Sequence, residues 1–238
     1  MTKLIQSVQR AAAICRLLTT QPETSLHDLQ VALQLPKATT YGLLATLVAE
    51  RLVYKNPLTA AYSLGPAALV GDQPLTATQL VRLLRPDLQQ LARDQNLAVH
   101  VAVRQAERAH YLAKIEAPHP QHVSAQPGQD DSLAITATGK LLLSASPADF
   151  QASYLASLAA PLARQLRAEL PSIRHRNVAY DRGEQTHQID CVATGLRDHR
   201  GQVIASVSLV LPATANTTDL QTGEQQLLAL TAALAPRI

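Results

Sequence analysis

Asp181, His187 and Cys191 lie within eleven positions of one another. A thiol, an imidazole and a carboxylate are the residue types of a nucleophile, its base and the group that orients the base. Read as a strand, the segment carries His187 and Cys191 on one face, but roughly 13 Å apart at the ~3.3 Å rise of a strand. That is beyond hydrogen-bond reach, so the spacing predicts no catalytic pair, and Cys191 reads as a small apolar residue. The histidines offer metal chemistry, as His110, His119 and His122 or as His175, His187 and His199. Zinc needs about four well-directed ligands, and neither set has a helical or Cys-x-x-Cys companion. They read as solvated side chains, with no metal and no cofactor. A third group is Lys37, Thr39, Thr40 and Tyr41, just after Leu35-Pro36. Hydroxyls and a lysine at the start of a helix suit phosphate oxygens and base edges, since helix N-termini attract anions. Arg10, Arg51 and Lys55 are further candidates for phosphate contact.

The composition narrows the partners for such a helix. Net charge is +3 and the pI near 9.0, which permits nucleic-acid binding without requiring it. Aromatic residues are 3% of the chain and Trp is absent. Base-stacking platforms for single strands are therefore not expected, and a helix in a duplex groove is the expected mode. No apolar run approaches the ~20 residues that span a bilayer. Met1-Thr-Lys-Leu-Ile-Gln-Ser7 has no apolar stretch before a small-residue cleavage site, so no export signal is expected. Cys15 and Cys191 have no metal-type spacing and read as reduced thiols of a cytosolic protein.

The elements that position these residues follow from the pattern of apolar side chains. Val8, Ala11, Ala12, Ile14, Cys15, Leu17 and Leu18 make one helical face from Ser7 to Thr20, with Ser7 as its cap. Ser25 caps a second helix, in which Leu26, Leu29, Ala32 and Leu33 share a side. A tight connection through Gln34-Leu35-Pro36-Lys37 leads into a third helix along Leu43, Leu44, Leu47 and Val48, with the proline in its first turn. Leu52–Tyr54 and Ala61–Leu64 around Asn56-Pro57-Leu58-Thr59 read as a hairpin. Three helices and a hairpin in this order are a winged helix-turn-helix, in which the helix from Lys37 is the recognition helix.

Gly71-Asp72-Gln73-Pro74 marks a boundary. Leu80, Leu83, Leu84, Leu88 and Leu91 then form a linker helix bent at Pro86. Strands are expected at Ala98–Val103, Ala109–Ile115, Val178–Tyr180, Asp190–Leu196 and Val203–Leu211. Helices are expected at Thr138–Ser146, Ala159–Leu170 and Gly223–Ala235. Antiparallel strand pairs flanked by helices define an α+β sensor-type domain. The expected domains are residues 1–72, a linker helix at 73–95, and an effector domain at 96–238.

Ser7-Val-Gln-Arg-Ala-Ala-Ala-Ile14, Leu35-Pro-Lys-Ala-Thr-Thr-Tyr-Gly-Leu-Leu-Ala-Thr-Leu47 and Tyr62-Ser-Leu-Gly65 resemble successive parts of the N-terminal domain of the IclR regulators. Val99-His-Val-Ala-Val103, Tyr111-Leu112, Thr136-Ala-Thr-Gly-Lys140, Asp190-Cys-Val-Ala193 and the segment from Gly201 to Pro212 are similar to the family's effector domain, in order and spacing. The resemblance implies a GAF-like effector domain, assembly as a homodimer or homotetramer, and binding to double-stranded DNA. It also implies repression or activation governed by a small-molecule effector. The effector site so implied is Ala137, Thr138, Asp181, Ile189, Cys191 and Ser208, with an organic acid received at the helix start near Ala137. Two departures stand out. Family members usually carry arginine where this chain has Gly42, which removes a DNA contact and places glycine inside a helix. Val210 replaces a strand serine, and Ala134 a histidine-like position, so a more apolar pocket and a larger, partly hydrophobic acid are expected. The other reading the residues leave open is a ligand-binding or protein-interaction module of the same fold, with weak or no sequence-specific DNA binding.

Overall fold

A computed structural model describes residues 4–57, 59–65, 67–68, 75–116, 126–198 and 200–238 of the chain. By contact it divides into two compact units, Met1–Leu75 with Arg237–Ile238, and Thr76–Pro236.

The first unit holds α1 (Gln6–Thr20), α2 (Leu26–Leu33), α3 (Lys37–Ala49) and an antiparallel pair, β1 (Val53–Lys55) with β2 (Tyr62–Leu64). The Ser25 hydroxyl accepts the Asp28 N–H at 3.1 Å and donates to the Asp28 carboxylate at 2.6 Å, fixing the start of α2. Gln34 ends α2 in the left-handed region (φ 51°), which turns the chain sharply toward α3. Pro36 is the residue before α3, outside the first turn, where its missing N–H costs nothing. Ile14, Leu18, Leu29, Leu44, Leu47, Val53 and Tyr62 form the core that fixes the angle between the helices. Helix α1 begins one residue before Ser7, follows Ile5 and has no side-chain cap. Leu58 and the Gly71–Pro74 boundary signal lie outside the described residues.

The second unit opens with α4 (Ala77–Gln95), started by a reciprocal pair of bonds between Thr76 and Gln79. Helix α4 continues through Pro86 as one element. Arg82 and Pro86 are exposed, so water can take the carbonyl whose donor the proline removes. The strands are β3 (Ala98–Gln105), β4 (Arg108–Ile115), β5 (Asp130–Ser132), β6 (Val178–Arg182), β7 (Ile189–Arg197) and β8 (Val203–Pro212). They form one antiparallel sheet in the order β5-β4-β3-β8-β7-β6. The helices are α5 (Ala137–Ala145), α6 (Ala148–Ser157), α7 (Ala160–Arg176) and α8 (Thr217–Leu234).

Helix α4 lies against β3 and β4, and α8 against β7 and β8. Gly223 of α8 meets Val192 and Leu209, whose side chains leave the sheet opposite to Cys191 and Ser208. Helix α5 covers the Cys191 and Ser208 face and packs on α7. Among the described residues no helix is long and apolar enough to cross a membrane.

Candidate functional site

Everything around the proposed effector site depends on how α5 begins. The Thr136 hydroxyl donates to the Ser132 carbonyl and accepts the Gly139 N–H, both at 2.9 Å. Lys140 N–H bonds the Thr136 carbonyl. Ala137 and Thr138 then carry the two opening N–H groups that no helical carbonyl can reach. Both residues line a cavity of about 510 Å³. Asp181, Ile189, Cys191 and Ser208 line it too, so all six residues expected from the resemblance meet on one wall. Strand register explains the convergence: Cys191 lies opposite both Asp181 and Val210, and Ser208 lies opposite both Ala193 and His100. Thr138 Oγ1 donates to Ser208 Oγ at 3.1 Å, joining the helix to the sheet.

The rim is built by the turn after β6. Asp181 Oδ1 accepts the Glu184 N–H at 2.7 Å and the Gln185 N–H at 3.4 Å. Burial nevertheless raises the Asp181 carboxyl above its ordinary range, and these two N–H bonds oppose the rise. Gln185 Nε2 donates to Asp131 Oδ2 at 2.6 Å and so connects this turn to β5. Lys140, only 2% exposed, ties α5 to the same turn through Glu184 at 2.7 Å, with Glu169 of α7 at 3.6 Å.

His100, Tyr111, Gln129, Asp131 and Gln185 also line the cavity, and none of them belongs to the set expected from the resemblance. With them the pocket is more polar than Val210 alone suggested. Ala134 belongs to the core with Tyr111 and Leu142 and is absent from the wall. The His100 ring meets Tyr111 edge-on, with centroids 5.3 Å apart. Burial lowers the His100 pKa to about 4, with the Lys114 charge adding to the shift, so the ring is neutral at pH 7. Burial raises the Tyr111 phenol, and the Asp131 carboxylate adds to it.

Cys191 is no activated nucleophile. Burial, then the charges of Asp181, Asp190 and Asp131, push its thiol well up, whereas activation needs a lowered pKa. His187 precedes β7, which starts at Ile189, so the strand spacing assumed from sequence does not apply to it. Among the described residues no three His, Cys, Asp or Glu side chains gather to hold a metal. His119, His122 and His199 lie outside those residues.

In the first unit Lys37, Tyr41, Gly42, Ala45 and Thr46 are exposed along α3, Tyr41 by 58%. Thr39 is half-buried beside them. Thr40 corrects the expectation: it has no exposed surface, and its hydroxyl donates to the Pro36 carbonyl at 3.1 Å. It secures the start of α3 and reaches neither base nor phosphate. Lys55 is exposed at the end of β1, its ammonium 5.7 Å from the Tyr62 ring centroid. Arg10 is half-buried on α1. Arg51 has φ 58° and donates to the Ile238 carbonyl at 3.3 Å, which limits its reach toward a duplex.

A helix-turn-helix with a two-stranded wing, joined to an α+β domain with a ligand-sized cavity, is the architecture of a transcriptional regulator. The family models agree. Residues 7–57 match the IclR helix-turn-helix domain, and residues 73–237 match the bacterial transcriptional regulator IclR C-terminal domain. The chain belongs to the IclR family, and it is a regulator rather than an enzyme. It is 32% identical over 219 residues to the HTH-type transcriptional regulator Rv1719 of Mycobacterium tuberculosis, covering 88% of this chain and 83% of that one. The crystal structure of the Thermotoga maritima IclR shares its fold at a TM-score of 0.60 and 20% identity, over 96% of this chain and 97% of that one. So does an IclR homolog from Microbacterium hydrocarbonoxydans complexed with 4-hydroxybenzoate, at a TM-score of 0.60 and 14% identity over 96% and 99% of the two chains.

Proposed function

We propose that this regulator binds duplex DNA through the exposed face of α3, and that a small organic acid in the α5 cavity controls its grip. The observation that carries the reading is the convergence of two free helix N–H groups, Thr138, Ser208 and Asp181 on one cavity of about 510 Å³. The N–H groups of Ala137 and Thr138 suit the acid's carboxylate. Among the described residues no lysine or arginine lines the cavity, whereas Asp130, Asp131 and Asp181 do. The far end of the acid therefore carries hydroxyl or amino donors. The 4-hydroxybenzoate held by the Microbacterium homolog has this form, an acid with a hydroxyl at the opposite end.

A homodimer places two α3 helices on half-sites of a near-palindrome. Leu4, Ile5 and Val8, exposed by 69%, 66% and 61% at the start of α1, are apolar surface suited to a second copy. The ligand-binding module without specific DNA recognition is favoured by one observation: Lys37 is the sole cation on the exposed face of α3, where Gly42 stands in the family's arginine position.

Selection of genomic fragments by the purified chain decides between them. Recovery of a near-palindromic site, with log affinity falling steeply against log salt, supports the regulator. Random fragments bound weakly at physiological salt overturn it. Gly42→Arg sharpens the test, because a Cβ there meets nothing within 4 Å. The variant is expected to tighten binding to the selected site by about 1–3 kcal/mol, the range of a good arginine-base pair. Unchanged affinity would show that this position does not face the duplex.

A further inference from the structure

The opposite end of α5 opens on a second cavity, of about 610 Å³, where Arg104 of β3, Arg174 of α7 and Arg197 of β7 come together. Their hydrogen-bond partners are all neutral. Arg174 donates from Nε to the Ser144 carbonyl at 2.8 Å and from Nη2 to the Ser146 carbonyl at 3.1 Å. Arg197 donates from Nη1 to the Gly201 carbonyl at 2.8 Å and from Nη2 to Asn177 Oδ1 at 3.0 Å. Arg104 donates from Nη1 to the Ala106 carbonyl at 2.9 Å and stacks over the Phe150 ring, 4.2 Å from its centroid.

Among the described residues no aspartate or glutamate lines this cavity, and none forms an ion pair with any of the three arginines. Each guanidinium has five N–H donors, and the bonds above commit two at most. Those bonds and the Phe150 stack hold the three planes in place, so little ordering is left for a ligand to impose. Three fixed like charges in a concavity repel one another, and an oxyanion that accepts paired N–H bonds relieves the repulsion. The cavity is large enough for an organic molecule and not only an inorganic ion.

We propose that this cavity is a second ligand site, separate from the one at the N-terminus of α5, and that it takes a small metabolite carrying several oxyanion charges, as phosphate or carboxylate groups. The charge balance differs sharply between the two cavities: among the described residues, carboxylates line the first, and guanidinium groups alone carry charge in the second.

Titration calorimetry of the full chain with pyrophosphate, with citrate and with acetate, at matched ionic strength, tests the proposal. Pyrophosphate or citrate is expected to bind once per chain, and acetate not at all. Whichever of the two binds more tightly identifies the oxyanion. Arg104→Gln and Arg197→Gln are each expected to weaken that binding at least tenfold, while Arg167→Gln, an exposed arginine of α7 outside the cavity, leaves it unchanged. Thermal melts confirm that the variants fold. Absence of binding, or equal loss in all three variants, would overturn the proposal. A change of oligomeric state in Arg197→Gln without anion uptake by the parent chain would assign the arginines to a partner's carboxylates, and would overturn it as well.

Discussion

Gly139→Ala is expected to destabilise the chain by about 3 kcal/mol and to abolish ligand uptake at the N-terminus of α5. A Cβ on Gly139 would lie 2.1 Å from the Ser132 carbonyl oxygen, 2.6 Å from Leu133 Cα and 2.7 Å from Thr136 Oγ1. The first two are backbone atoms at the end of β5, which cannot swing aside as a flexible side chain does. The helix must retreat instead. Overpacking of this kind costs about 1–3 kcal/mol, and retreat breaks the Thr136 cap, typically worth ~1 kcal/mol. It also moves the Ala137 and Thr138 N–H groups off the cavity. For a chain of this size the sum lowers Tm by roughly 6–12 °C. Thermal unfolding followed by circular dichroism reads the first effect, and ligand-induced shift of Tm reads the second. A wild-type Tm in Gly139→Ala would show that α5 and β5 are not held in close approach.

The second large effect is in acid. His100 titrates near pH 4 in the folded chain against 6.5 when unfolded, because burial, and then Lys114, disfavour the imidazolium. Between those values the unfolded chain binds the extra proton, so stability rises with pH across this window. It is fully present above pH 6.5 and lost as pH falls toward 4. The shift corresponds to roughly 3 kcal/mol. Asp181 acts in the opposite sense: burial raises its carboxyl in the folded chain, so its contribution declines as pH rises above the ordinary carboxylate value. A comparison of the parent with His100→Gln separates the two. Denaturant unfolding from pH 4 to pH 7 is expected to show a pH-dependent loss in the parent that His100→Gln lacks, with the gap between them changing by about 3 kcal/mol. Parallel profiles would mean that His100 is hydrated in the fold.

The first unit was legible because local chemistry decides it. Ser25 caps α2, Pro36 precedes α3, and the apolar spacing of α1, α2 and α3 encodes the core they share. Thr40 departs from the expectation because a threonine in a first helical turn can face outward or bond back to the carbonyl four residues earlier, and only tertiary packing chooses. In the second unit β5 is not legible in the sequence because Asp130-Asp-Ser132 has no strand pattern of its own and is a strand only through pairing with Arg108–His110. Helix α8 begins six residues before the expected Gly223, and the Asn216 and Asp219 pair that starts it was visible in the sequence. At the candidate site, the α5 side followed from resemblance to the family. His100 and Tyr111 did not, because they depend on β3 lying beside β8, in a register that sets His100 against Ser208.

The most direct test is the affinity of the full chain for its selected genomic site, with and without an organic acid that raises its Tm. A change of about 5- to 150-fold is expected, the range of typical allosteric coupling. Thr138→Val, which removes the hydroxyl bonded to Ser208, is expected to need at least ten times more of the acid for the same change. Equal DNA affinity at saturating acid would contradict the claim that the α5 cavity controls the grip of α3 on DNA.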